Sequence, residues 1–122
     1  MFRAAAEQGN ATAQVLLAGL YVQGYGVPQD YKQATGWFRK AAEQNNPEAQ
    51  ASLSAAYGLG NGVPKDSVLA YMWANLSAAG ANDEEQRKKS VELREIAAKS
   101  LTPEQVGEAQ RLSREWTPTK AK

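Results

Sequence analysis

The stretch GYGVPQD at 24–30 returns as GNGVPKD at 60–66, a step of 36 residues. The same step carries AAEQGN (5–10) onto AAEQNN (41–46), Ala13-Gln14 onto Ala49-Gln50, Leu17 onto Leu53 and Tyr21 onto Tyr57. Ala34 and Trp37 land on Ala70 and Trp73. A repeat of this length leaves few folds open. Each unit can bury its apolar face only against the next, which predicts an array of stacked units.

Each period reads as two helices. Asn10 and Asn46 are N-caps, and Pro47 takes the first helical position, where a missing N–H costs nothing. The first helix is predicted from Ala11 to about Tyr21–Gln23 and from Pro47 to about Tyr57–Leu59. Ala13, Leu17, Leu20 and Tyr21 form one apolar stripe, and Ala49, Leu53, Ala56 and Tyr57 repeat it. The shared phrase then becomes a connector. Gly24 and Gly60 follow the last turn, where a left-handed residue closes the helix, and Val27 and Val63 tuck beneath the loop. Pro28 and Pro64 delay the next helix, which Asp30 and Asp66 cap. A phosphate loop is the rival reading of the glycines. It fails because no strand precedes them and no Gly-Lys-Ser/Thr follows. The second helices are expected over 31–44 and 67–79. Trp37, Phe38 and Ala41 share a face with Ala34, as Trp73, Ala74 and Ser77 do with Ala70. At this spacing the tryptophans are packing residues. Gly9 and Asn45 suit a left-handed turn after the second helix.

Two absences restrict the chemistry. The chain has no cysteine and no histidine, so thiolate nucleophiles, disulfides, imidazole bases and the usual zinc sites are excluded. No catalytic, cofactor-binding or metal-binding residue is assigned, and the expectation is a non-enzyme. The formal net charge of +1 offers no strong field for nucleic acid. No apolar run approaches the roughly 18–20 residues of a membrane span. No apolar segment follows Met1-Phe2-Arg3 as in a signal peptide. The location expected is the cytoplasm, or the periplasm if a leader and earlier repeats precede.

The order Ala-x-Ala-Gln-x-x-Leu … Tyr-x-x-Gly-x-Gly-Val-Pro-x-Asp … Ala-x-x-Trp-x-x-x-Ala-Ala is followed over 11–42 and, closely, over 47–78. It resembles the Sel-1-like repeat, a relative of the tetratricopeptide repeat. The resemblance implies an all-α fold, a right-handed α/α superhelical solenoid of helix-turn-helix units with period 36. Gly19 and Gly36 fall inside helices, and Ser77 replaces the first alanine of the Ala-Ala pair. The divisions expected are 1–9, a partial second helix of a preceding unit with Met1 at the tryptophan position; 10–45; 46–81; 82–116, a C-terminal capping helix pair; and a tail, 117–122. Asn82 with Glu85 is read as a capping box for a helix over about 83–100 whose apolar edge is Leu93, Ile96, Ala97 and Leu101. Thr102-Pro103-Glu104-Gln105 opens the next helix, which carries Val106, Ala109, Leu112 and Trp116 inward.

The resemblance further implies an adaptor that holds a peptide or helix of a partner protein on the concave face lined by first helices. Positions left over from the core stripe are Val15, Leu16, Gly19, Val22 and Gln23 in one unit. In the next they are Ala51, Ser52, Ala55 and Leu59. The repeat varies there, since Val15 becomes Ala51, Leu16 becomes Ser52 and Val22 becomes Gly58. Two alternatives accompany the adaptor reading. One is a dedicated inhibitor of a bacterial toxin. The other is β-lactam chemistry, described for cysteine-rich relatives, but this chain lacks their cysteines and any Ser-x-x-Lys motif. The incomplete first unit also predicts self-association through residues 2–22.

Overall fold

Helix ends place the elements. Asn10 and Asn46 turn Oδ1 back to accept the N–H of Ala13 and Ala49, each at 2.9 Å. Asp30 and Asp66 accept from Gln33 and Leu69, each at 3.1 Å. The computed structural model describes residues 2–118, so the expectations for Met1 and for 119–122 lie outside the described residues. The helices are α1 (Phe2–Glu7), α2 (Ala11–Gln23), α3 (Tyr31–Ala42), α4 (Pro47–Leu59), α5 (Ser67–Ala79), α6 (Glu84–Ala98) and α7 (Pro103–Glu115), with no strand among the described residues. Consecutive helices pack on each other from α1 to α6, and α7 returns to α5. The chain is an α/α solenoid.

Helices of 12 or 13 residues, such as α2 to α5, are marginal alone, so burial between neighbours holds them. One core cluster gathers Ala6, Ala13, Leu17, Ala18, Tyr21, Ala34 and Trp37. A second gathers Leu53, Tyr57, Ala70, Met72 and Trp73 with Ala97 and Ala109 of the last two helices. Phe38 packs on both clusters and joins them. The alanines suit this role because they favour helix and let backbones approach closely.

Between α1 and α2, and again between α3 and α4, the same polar contacts recur. Gln14 Nε2 donates to the Ala6 carbonyl at 3.0 Å, and Gln50 Nε2 to the Ala42 carbonyl at 3.1 Å. The Arg3 guanidinium donates to Tyr21 Oη and lies over its ring, as Arg39 does with Tyr57. Thr35 Oγ1 donates to the Asn61 carbonyl at 2.9 Å, seating the second Gly-x-Gly loop on α3. Gly62, at φ +77°, lies so close that a Cβ there would collide with the Tyr31 carbonyl. Gly26 has the same φ but no atom within 4 Å of such a Cβ among the described residues.

One element of the ladder is missing. Gln44 Nε2 donates to Gln14 Oε1 at 3.0 Å. A step of 36 residues turns Gln44 into Gly80, and Gln50 Oε1 is buried with no partner among the described residues. Ser77, the odd residue of the Ala-Ala pair, has a role here. Its hydroxyl donates to the Pro47 carbonyl at 2.7 Å and lies 2.7 Å from Ser90 Oγ, so it ties α4, α5 and α6 together.

Expectations for α3 and α6 are corrected. α3 ends at Ala42, not Gln44, because Gln44 and Asn45 N–H turn back to Ala41 and Ala42, and Asn45 is left-handed at φ 69°. α6 is capped by Asp83, not Asn82, and stops at Ala98. The Asp83 carboxylate accepts from Gln86 N–H at 2.8 Å, while Gln86 Oε1 accepts from Asn82 N–H. On this helix Ser90 and Ala97 are buried, with Ser90 Oγ against Ser77 of α5, while Ile96, expected on the apolar edge, is 62% exposed. α7 buries Ala109 fully, and Trp116 meets the Trp73 ring edge-on at 5.8 Å and 74°. Thr102 and Gln105 form the expected reciprocal cap.

Candidate functional site

The spacing that turns Leu17, Tyr21, Leu53 and Tyr57 into the core leaves the opposite sides of α2 and α4 outward. Three hollows open there. One of about 220 Å³ lies between α2, α3 and α4, lined by Val22, Tyr31, Phe38, Ser52 and Leu59 among others. A second, about 290 Å³, lies where α4, α5 and α6 meet, with Leu59, Leu93 and Ile96 in its wall. A third, about 440 Å³, runs between the starts of α4 and α6 and includes Glu48, Ser52, Asp83, Glu85 and Lys89. Ala55 lines all three. Its methyl group keeps helix propensity and takes up little of the space that the three hollows border.

The sequence-derived positions divide. Val22, Ala51, Ser52, Ala55 and Leu59 line these hollows. Leu16 and Gln23 are exposed on α2, and Gly19 is half-buried with open space where a Cβ would stand. Two placements are corrected. Ala51 is only 7% exposed, low in the wall of the hollow between α4 and α6. Val15 packs against the second core cluster, so its side chain belongs to the contact between units. The sequence reading missed the wall that α6 contributes. Glu85, Lys89, Leu93 and Ile96 have no counterpart in the repeat, so periodicity carries no signal for them.

The chemistry of this face is that of a contact surface. Among the described residues no group of three or more acidic side chains is placed to hold a metal ion. Hydrogen bonding to Glu108, with the charges of Glu108 and Glu115, holds Arg111 on α7 above its ordinary value. On α3 a different hollow is bordered by Gly36, Trp37 and Lys40, with the Lys40 ammonium 4.6 Å from the Trp37 ring centre. No described helix is long and apolar enough to cross a membrane.

Comparison with known proteins adds the following. The Sel1 repeat profile matches residues 11–46 and 47–82, more than half of the chain. A protective antigen present in uropathogenic Escherichia coli strains, whose crystal structure displays an SLR fold, superposes with a TM-score of 0.84 at 40% identity. That match covers 94% of this chain and 24% of the antigen. A Sel1 repeat protein from Oxalobacter formigenes gives a TM-score of 0.68 at 37% identity, over 75% of this chain and 26% of that one. The chain therefore spans about a quarter of the length of either structure. No curated protein matches it.

Proposed function

This chain belongs to the Sel1 repeat family, whose members are generally protein-interaction scaffolds, and we propose that it binds a segment of a partner protein across α2, α4 and α6. The observation that carries the reading is the convergence of three hollows on Ala55. Neighbouring concavities lined by small and apolar side chains, with a few polar groups at the edge, suit a peptide more than a flat protein surface. The core stripes and polar ladder repeat, while this face differs between units. A scaffold that holds one partner needs that division.

A photo-crosslinking amino acid placed at Ala55, and separately at the exposed Gly36 on α3, tests the reading in the source cell. The expected result is one protein crosslinked from position 55 and not from 36, with the adduct mapped to a short segment. Equal capture from both positions, or none from 55, overturns it. Self-association through residues 2–22 is a separate proposal, decided by sedimentation of the chain across a range of concentrations.

A further inference from the structure

Resting on the binding face proposed above, we infer that its occupant is an extended, basic-apolar peptide segment, with an aliphatic or aromatic anchor at one end and lysine or arginine at the other. The groove changes character along its length. At the C-terminal ends of α4 and α6, Leu59 and Ile96 are 71% and 62% exposed on the wall of one hollow, with Leu93 between their helices. Large aliphatic side chains held open around a concavity gain from being covered. At the N-terminal ends of the same helices the neighbouring hollow carries Glu48, Asp83 and Glu85 against Lys89 alone.

Helix starts explain why acidic residues stand there, since each carboxylate meets the positive end of a helix dipole. That compensation does not neutralise them. The ion pairs among the described residues are Arg3–Glu7, Arg87–Glu84, Arg94–Glu95, Arg111–Glu108 and Arg111–Glu115, and none includes Glu48, Asp83 or Glu85. Asp83 spends one oxygen on its cap, while Glu48 and Glu85 are exposed. The side chains lining this end carry three carboxylates against one ammonium. At the other end Lys65 borders the apolar hollow, so a basic residue flanking the anchor is disfavoured there. The two ends together orient the segment.

Its dimensions follow from helix rise. Glu48 and Leu59 are eleven positions apart on α4, about 16 Å along the axis. An extended chain covers that in about five residues at roughly 3.3 Å each. Ser52 lies between, where its hydroxyl can serve the open N–H and C=O groups of an extended backbone. A carboxylate pair and an apolar anchor about five residues apart are the recognition code.

The test pans a phage-displayed library of random peptides, about 12 residues long, on the whole immobilised chain. Enriched sequences are then synthesised and titrated by fluorescence anisotropy. The chains titrated are the unaltered one, Ala55→Arg, and the double variant Glu48→Gln/Glu85→Gln, each checked for helicity. The expected result is an apolar anchor with lysine or arginine about five positions away, bound at least tenfold more weakly by Ala55→Arg. The glutamine pair should weaken binding about three- to tenfold in low salt, with the gap closing near 0.5 M salt. Peptides lost by Ala55→Arg but indifferent to the glutamine pair overturn this inference and leave the binding face standing. Peptides indifferent to Ala55→Arg, or no enrichment at all, overturn both.

Discussion

Replacing Gly62 by alanine, with Gly26→Ala beside it, measures the contact that locks one unit onto the next. Both glycines have φ +77°, so a side chain at either pays the same left-handed cost of about 1–2 kcal/mol. At Gly26 the new methyl group meets no atom of the described residues within 4 Å, and the loss stops there. At Gly62 it would run into the Tyr31 carbonyl and stand 2.8 Å from Thr35 Oγ1, which is already bonded to Asn61. A backbone carbonyl in the first turn of α3 cannot swing aside. The loop must lift or α3 must shift, which adds about 1–3 kcal/mol of overpacking. The totals are about 1–2 kcal/mol for Gly26→Ala and about 2–5 kcal/mol for Gly62→Ala. Urea unfolding followed by far-UV circular dichroism, with the m-value monitored for lost cooperativity, reads the difference. Equal losses, within about 0.5 kcal/mol, would refute the close approach of this loop to α3.

Two further substitutions act on the polar ladder and its end. Gly80→Gln should restore to Gln50 Oε1 the donor that Gln44 supplies to Gln14. Relative to Gly80→Ala, which shares the backbone gain, it should stabilise the chain by about 0.5–1 kcal/mol in the same urea assay. The backbone permits it, since Gly80 has φ −99° and the nearest atom to a Cβ there is at 3.6 Å. Ser77→Ala should cost about 1 kcal/mol by removing the hydroxyl shared between Pro47 and Ser90. Adding Ser90→Ala should cost less than the sum of the two single changes, because the pair then disappears together, and a double-mutant cycle from thermal melts checks the coupling.

Much of this molecule was legible because two periodicities are written in the chain. The 36-residue step and the helical spacing inside it specify which residues cap, which face inward and where the loops fall. These are local choices, made by Asn10, Asp30, Gly24, Pro47 and their copies with the backbone within a few residues. Gln14 and Gln50 show where local reasoning stops. Their recurrence was visible, but their carbonyl partners lie on the preceding helix, and the empty place opposite Gln50 emerges only when Gly80 is set in space.

The binding face divides the same way. The outward positions of α2 and α4 follow from the apolar stripe, since a residue on the far side of a helix from its core must face elsewhere. What those positions face was decided by α6. This helix, capped by Asp83, lies beside α4 with Ile96 outward and with Glu85 and Leu93 lining hollows that Ala55 also borders. The sequence alone determined a two-helix unit and its stacking, because those rest on contacts repeated at fixed spacing. Only the tertiary structure decided the shape and charge of the groove, because its second wall comes from a helix outside the repeat, docked by packing against α5.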